Sequence, residues 1–213
     1  MPRYYPACLD IKGKKCVVVG GGEVAERKVN LLLRCGADIT IISPDLTEGL
    51  EEFSLNGEIK YIKDEFKEKH LKNAFLVIGA TDNHKVNLKI YKEGSKNEIL
   101  VNIADSPDLC NFTVPSVVER GELVIAISTG GKSPSLSKKI REELEARYGI
   151  EYAEFLKMIG ELRERILHMI PDKNKREEIY KKLVYSDIID LIKNGNGESA
   201  RRRVEKIINS YNL

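Results

Sequence analysis

Three consecutive glycines, set between an apolar run and an amphipathic one, constrain this chain more than any other feature. Residues 16–19, Cys-Val-Val-Val, lead into Gly20, Gly21 and Gly22, and Glu23-Val24-Ala25 opens a segment of helical period that reaches Cys35 and stops at Gly36. A strand, a tight glycine turn and a helix start, in that order, make the first half of a βαβ unit. Gly20, Gly22 and Ala25 occupy the G-x-G-x-x-G/A positions of a dinucleotide site. The first glycine permits the turn, the second lets backbone approach a pyrophosphate, and the small third residue lets the helix lie close on the strand. The helix start adds unpaired N–H groups and the positive end of a dipole. The competing reading of the same residues is a structural glycine turn in an ordinary α/β domain.

The following segments favour the nucleotide reading. Apolar runs predict strands over 15–20, 38–43, 59–63, 75–80 and 99–103, with helices over 23–34, 48–56 and 83–94 between them. Repeated βα units imply a parallel sheet with right-handed crossovers, hence a Rossmann-type α/β domain. Ligands of such sheets collect at the carboxyl ends of the strands. Those ends are Gly20–Gly22, Ser43-Pro44-Asp45, Ala80-Thr81-Asp82 and Ala104-Asp105. After Asp105 the rhythm changes. A strand pair is expected over 112–118 and 123–128 around a turn at 119–122, followed by Ser-Thr-Gly-Gly-Lys-Ser-Pro and a helix over 135–147. Helical period then predicts three helices, 151–170, 174–193 and 197–211. The expected plan is a cofactor domain over 1–112, a small α+β segment over 113–148 and a helical domain over 149–213.

Composition narrows the function classes. A net formal charge of +2 in 213 residues gives no global basicity that points to nucleic acid. Arg201-Arg202-Arg203 reads as the solvated face of an amphipathic helix. No apolar run approaches the ~18 residues of a membrane span, and the N-terminus lacks a signal-peptide core, so a cytoplasmic protein without membrane contact is expected. Cys8, Cys16, Cys35 and Cys110 show no C-x-x-C spacing. Cys16 and Cys35 lie in apolar patterns and are expected as buried free thiols. His70, His84 and His168 show no metal-ligand spacing, and no metal site is predicted.

Asp105 is the leading catalytic candidate, because it follows a buried strand at the ligand edge. A carboxylate there is placed for general-base work, while Asp105 or Asp108 capping the Ser106-Pro107 turn is an equal alternative. Thr129, Gly130, Gly131, Lys132 and Ser133 resemble an anion cradle before a helix N-terminus, set against a flexible turn with Ser133 or Ser135 as N-cap. The acidic residue that grips the adenosine ribose is expected about 20 residues after the glycines. Ser43 stands there, followed by Pro44 and Asp45, so either Asp45 or the Ser43 hydroxyl takes the role. No arginine neighbours this turn, which favours NAD over NADP.

Together, the segments GGGEVAERK, ATDNHKVN, VNIADSPDLCNFTVPS and AISTGGKSPSLSKKIREELE resemble the precorrin-2 dehydrogenase family of sirohaem biosynthesis, over residues 1 to about 148. The C-terminal helices resemble that family's more variable tail. The resemblance implies NAD-dependent oxidation of precorrin-2 to sirohydrochlorin. In some members it also implies lyase activity as a ferrochelatase, inserting ferrous iron as substrate to make sirohaem. It implies that Asp105, preceded by the same Asn102-x-Ala, is the essential base, that Gly22, Glu23 and Val24 meet the nucleotide, and that Pro44-Asp45 lie on the ribose side. It also implies a homodimer exchanging the segment after Asp105. Where some members carry a phosphorylatable serine in the glycine-rich segment, Thr129 stands here. The acidic tetrapyrrole needs local positive charge, for which Lys132, Lys138, Lys139 and Arg141 are candidates, against ordinary surface pairing with Glu142, Glu143 and Glu145. The rival functions are an NAD-binding regulatory module without catalysis, an assembly protein using its helical tail, and a chelatase that no longer oxidises.

Overall fold

The computed structural model describes residues 4–211. They fall into two compact units that divide between Val114 and Pro115. In the first, β1 (Lys15–Val19), β2 (Asp38–Ile42), β3 (Lys60–Ile62), β4 (Leu76–Gly79) and β5 (Leu100–Ile103) form one parallel sheet in the order β3-β2-β1-β4-β5. The chain steps outward from β1 to β3 and then returns to place β4 on the other side of β1. The order therefore reverses beside β1, where a crevice opens at the strands' carboxyl ends.

The strands are apolar on both faces because both faces are covered. Cys16 and Val18 of β1, with Ile39 and Ile41 of β2, pack against Ala25, Val29 and Leu32 of α1 (Glu23–Arg34) and Leu50 of α2 (Glu48–Leu55). The alternate residues Val17, Val19 and Ile42, with Val77, Val101 and Ile103, meet Ile90 of α3 (His84–Lys96) and Phe66 on the opposite face. Desolvation, with Asp38 and Cys35 nearby, pushes the buried Cys16 thiol up to about 11, so it stays protonated at neutral pH. Cys35 departs from expectation. It is exposed as the C-cap of α1, because the helix ends there and Gly36 turns the chain into β2 with φ +71°.

A 3₁₀ turn at Glu68–Leu71 buries His70, whose Nδ1 accepts the Lys67 N–H at 3.2 Å and whose carbonyl accepts Lys15 Nζ at 3.1 Å. Burial, and then Lys69, holds this imidazole below its ordinary 6.5. The unfolded chain therefore binds the proton more readily than the folded one. Stability present above about pH 6.5 is lost as pH falls through the folded value. His70→Gln, whose amide oxygen can accept the same N–H, is expected to flatten this part of the pH–stability curve. Denaturant melts between pH 8 and 5 measure it, and parallel curves for variant and wild type would refute it.

In the second unit, β6 (Ser116–Arg120) and β7 (Leu123–Ile127) form an antiparallel hairpin. It starts later than the predicted 112–118, because the Phe112 carbonyl is held by Asn102 Nδ2 and Pro115 offers no N–H to a ladder. The turn narrows to Gly121-Glu122, with Gly121 at φ +60° as tight hairpins prefer. Arg120 donates to the carbonyls of Tyr148 and Glu145, tying β6 to the end of α4 (Pro134–Arg147). The remainder is α5 (Glu151–Met169), α6 (Lys173–Val184), α7 (Ile188–Lys193) and α8 (Gly197–Asn209), packed around Phe155, Ile166, Leu183, Ile188 and Val204. The single helix expected over 174–193 is thus two. Ser186 breaks it, its hydroxyl donating to the Leu183 carbonyl and accepting the Ile188 N–H. No helix among the described residues is long and apolar enough to cross a membrane.

Candidate functional site

The three glycines do different work. At Gly20, φ is +116° and a Cβ would stand 2.2 Å from the Ala80 carbonyl oxygen. At Gly21 a Cβ would stand 2.0 Å from the Asp45 carbonyl oxygen. Both are therefore demanded by the protein's own crossing loops. Gly22 is different. It is the N-cap of α1 with φ −88°, and a Cβ there would meet nothing within 4 Å. No side chain caps α1, and its first intrahelical bond runs from Glu26 N–H to the Gly22 carbonyl, so the helix presents its leading N–H groups outward. Beneath them Ala25 is fully buried, as close helix–strand contact requires.

A cavity of about 530 Å³ opens in front of this turn, within the ~300–1,000 Å³ range of small-molecule sites. It brings together Gly20, Gly21, Gly22, Glu23 and Val24 from the first loop, Ser43 and Pro44 from the second, and Thr81 and Asp82 after β4. Asn83 joins them and caps α3, its Oδ1 accepting the Lys85 and Val86 N–H groups. Thr81 is fixed by the buried Asn87, which accepts its hydroxyl at 2.9 Å and donates to its carbonyl at 2.8 Å. Sequence reasoning missed one wall, Asp64-Glu65-Phe66, although it stands at the carboxyl end of β3, where the same rule points. Lys67 bonds the Asp64 carboxylate and holds it below the usual carboxylate range. An uncapped helix start, a glycine with open space before it and a cavity of this size fit a dinucleotide.

Asp45 and Asp105 stand outside the cavity lining among the described residues. Asp45 is exposed at the end of β2, 3.8 Å from Lys63. Asp105 is exposed just beyond β5, with φ +57°, a left-handed conformation that Asp tolerates better than most residues. The loop that carries it is pinned by Cys110, whose Sγ accepts the Ile103 N–H at 3.2 Å and lies 3.3 Å from the Ser106 carbonyl. Ser106, the N-cap of the 3₁₀ turn at Pro107–Leu109, makes no side-chain capping bond. Asn102 is buried, its Nδ2 donating to the Phe112 carbonyl and reaching Cys110 Sγ. Lys28 lies one helical turn beyond Val24 on α1. Burial, and then Arg27, lowers its ammonium below the lysine range, against the opposing pull of Asp105 and Cys110. His84 begins α3, exposed and outside the cavity lining.

In the second unit, Ser133 is the N-cap of α4, its hydroxyl accepting the Leu136 N–H. Thr129 Oγ1 bonds the Ser133 carbonyl and N–H and lies 3.2 Å from Ser137 Oγ. Gly130 and Gly131 take φ +61° and +78°, and Lys132 is exposed. The α4 cations are paired along the helix, Lys138 with Glu142, Lys139 with Glu143 and Arg141 with Glu145, as the surface reading expected. Arg202 and Arg203 likewise meet Glu198 and Asp187.

Comparison with known proteins adds three family matches in chain order. Residues 7–116 match a family described as putative NAD(P)-binding, 120–147 a sirohaem biosynthesis protein central region, and 151–208 a sirohaem synthase dimerisation region. A protein named siroheme synthase from Nitrosospira multiformis is 37% identical over 95% of this chain, and one from Photorhabdus laumondii is 34% identical over 99%. The chain spans only 44% and 45% of those relatives. A solved structure titled SirC, precorrin-2 dehydrogenase, superposes with a TM-score of 0.79 at 30% identity, covering 95% of this chain and all of that one.

Proposed function

The chain belongs to the NAD(P)-binding family of precorrin-2 dehydrogenases and sirohaem synthases, and from that membership we propose that it oxidises precorrin-2 to sirohydrochlorin with NAD+. The observation that carries this reading is the end-to-end likeness to a precorrin-2 dehydrogenase, joined to a glycine-lined cavity at the carboxyl edge of the sheet. NAD+ supplies the acceptor for the hydride and its electron pair. The chain's own residues bind and move the proton. The leading N–H groups of α1, over Gly22, Glu23 and Val24, hold the pyrophosphate. Ser43, Pro44 and Asp45 hold the ribose side, and Thr81 and Asp82 close the opposite wall. Asp105 takes the proton that leaves the macrocycle as the hydride departs, so charge and electrons balance. Thr129, Gly130, Gly131, Lys132 and Ser133 form the cradle for substrate carboxylates. Asn102 contributes to substrate binding through the loop it braces.

The dimerisation match over 151–208 supports a homodimer, measurable by light scattering of the eluted protein. The four cysteines are free, which suits the reducing cytoplasm, where we place the reaction. The deciding assay is purified protein with precorrin-2 and NAD+, followed by the spectra of sirohydrochlorin and NADH. Substrate-dependent NADH is the expected result. NAD+ binding without turnover would instead favour a regulatory module. A parallel arm with Fe2+ tests ferrochelation as a second activity on the same product.

A further inference from the structure

Lys28 stands four residues after Val24 on α1, so the two share a face of the helix, and Val24 is part of the cavity wall. Its side chain is half-buried, and it makes no ion pair among the described residues. Lys67, Lys138, Lys139 and Arg141, by contrast, each meet a carboxylate. Burial, and then the neighbouring Arg27, loosens the ammonium's hold on its proton, while Asp105 and Cys110 pull the other way. That opposing pull shows where the side chain reaches: from α1 across to the loop after β5. Cys110 pins this loop through Ile103 and Ser106, and Asp105 projects from it. A cation from the helix after β1 and a carboxylate from the loop after β5 therefore share one neighbourhood beside the cavity, all within the first unit. A half-buried ammonium without a counter-ion is costly to desolvate, and a carboxylate arriving from outside offsets that cost.

We propose that Lys28 is a substrate-binding residue that takes a carboxylate on the rim of the macrocycle next to Asp105. The inference rests on the reading of Asp105 as base towards an acidic tetrapyrrole. Such a substrate carries negative charge up to a base that is itself an anion, and the two repel. An ammonium beside both turns the nearest interaction into an attraction and fixes which edge of the ring faces the base. Asp105 is near enough to attract Lys28 but makes no ion pair with it, so the ammonium stays open to the substrate. The role is binding and orientation. The proton still leaves to Asp105 and the hydride to NAD+.

Three measurements on the full chain test this: titration with sirohydrochlorin followed by its absorbance, steady-state oxidation of precorrin-2, and titration with NAD+. Lys28→Gln is expected to weaken sirohydrochlorin binding and raise the KM for precorrin-2 at least about tenfold, the loss of one charge-assisted bond. Its kcat should stay within about threefold, as removal of uniform binding requires. NAD+ affinity and melting temperature should match wild type. Lys28→Arg, which keeps the charge, is expected to hold KM within about threefold of wild type. Tetrapyrrole binding and KM within twofold of wild type in Lys28→Gln would overturn the proposal and leave an ordinary surface lysine. A fall in kcat with KM unmoved would overturn it too, making Lys28 a partner of Asp105 and not of the substrate. So would a loss in Lys28→Arg as large as in Lys28→Gln, because charge would then not be what binds. A wild type that neither binds nor oxidises the tetrapyrrole would defeat the proposed function itself, whereas a normal wild type with an unmoved Lys28→Gln defeats this inference alone.

Discussion

Asp105→Asn is expected to lower NAD-dependent oxidation of precorrin-2 by roughly 10²–10⁴-fold, the usual contribution of a positioned base, while leaving NAD+ affinity within about twofold. The two halves of that expectation come from different observations. Affinity is spared because Asp105 stands outside the cavity lining. Turnover is lost because the amide cannot take a proton. Asn is the right replacement, since φ at this position is +57° and Asn occupies that region nearly as readily as Asp. Ala would add backbone strain of about 1–2 kcal/mol and blur the result. The Cys110 Sγ contacts to the Ile103 N–H and the Ser106 carbonyl do not involve the Asp105 side chain, so the loop keeps its shape in the variant. Steady-state NADH production and a separate NAD+ titration give the two readings. Turnover above a tenth of wild type would remove Asp105 from the role of base and leave the proton to solvent or to another group.

Most of the sheet was legible because β1, β2, β4 and β5 are largely apolar runs, and a parallel sheet covered on both faces writes that pattern directly. The glycine turn was legible for a related reason: two of its three glycines answer steric demands that no other residue meets. What stayed hidden depended on contacts. β3 has three residues and an alternating pattern, so the Asp64-Glu65-Phe66 wall at its exit carried no glycine or buried-strand signal. The break between α6 and α7 comes from a single hydroxyl, at Ser186, inside an otherwise periodic stretch. Cys35 ends an apolar period but stands at the C-cap of α1, three residues past Leu32, the last buried residue of that helix. The charge pairs of α4 could be read from their i,i+4 spacing alone.

Gly21→Ala and Gly22→Ser are expected to fail in opposite ways, which separates the structural from the ligand-facing half of the turn. A Cβ on Gly21 would sit 2.0 Å from the Asp45 carbonyl oxygen and 2.8 Å from Ser43 Oγ. The first of these is backbone, so the loops after β1 and β2 must part. Such overpacking costs about 1–3 kcal/mol or more, a fall in melting temperature of order 10 °C for a domain this size. Gly22→Ser meets no neighbour within 4 Å, at a φ of −88° that any residue adopts. Serine is also a favoured N-cap, so stability should hold or rise by a few tenths of a kcal/mol. Its hydroxyl would satisfy an N–H group that α1 otherwise offers to an anion, and its Cβ would stand where a pyrophosphate approaches the helix. NAD+ affinity is therefore expected to fall at least about tenfold in a protein that melts normally. Calorimetric melting and NAD+ titration of both variants decide the matter. If Gly22→Ser bound NAD+ as wild type does, the open face of that glycine would not be the pyrophosphate's, and the cavity in front of α1 would lose its assignment.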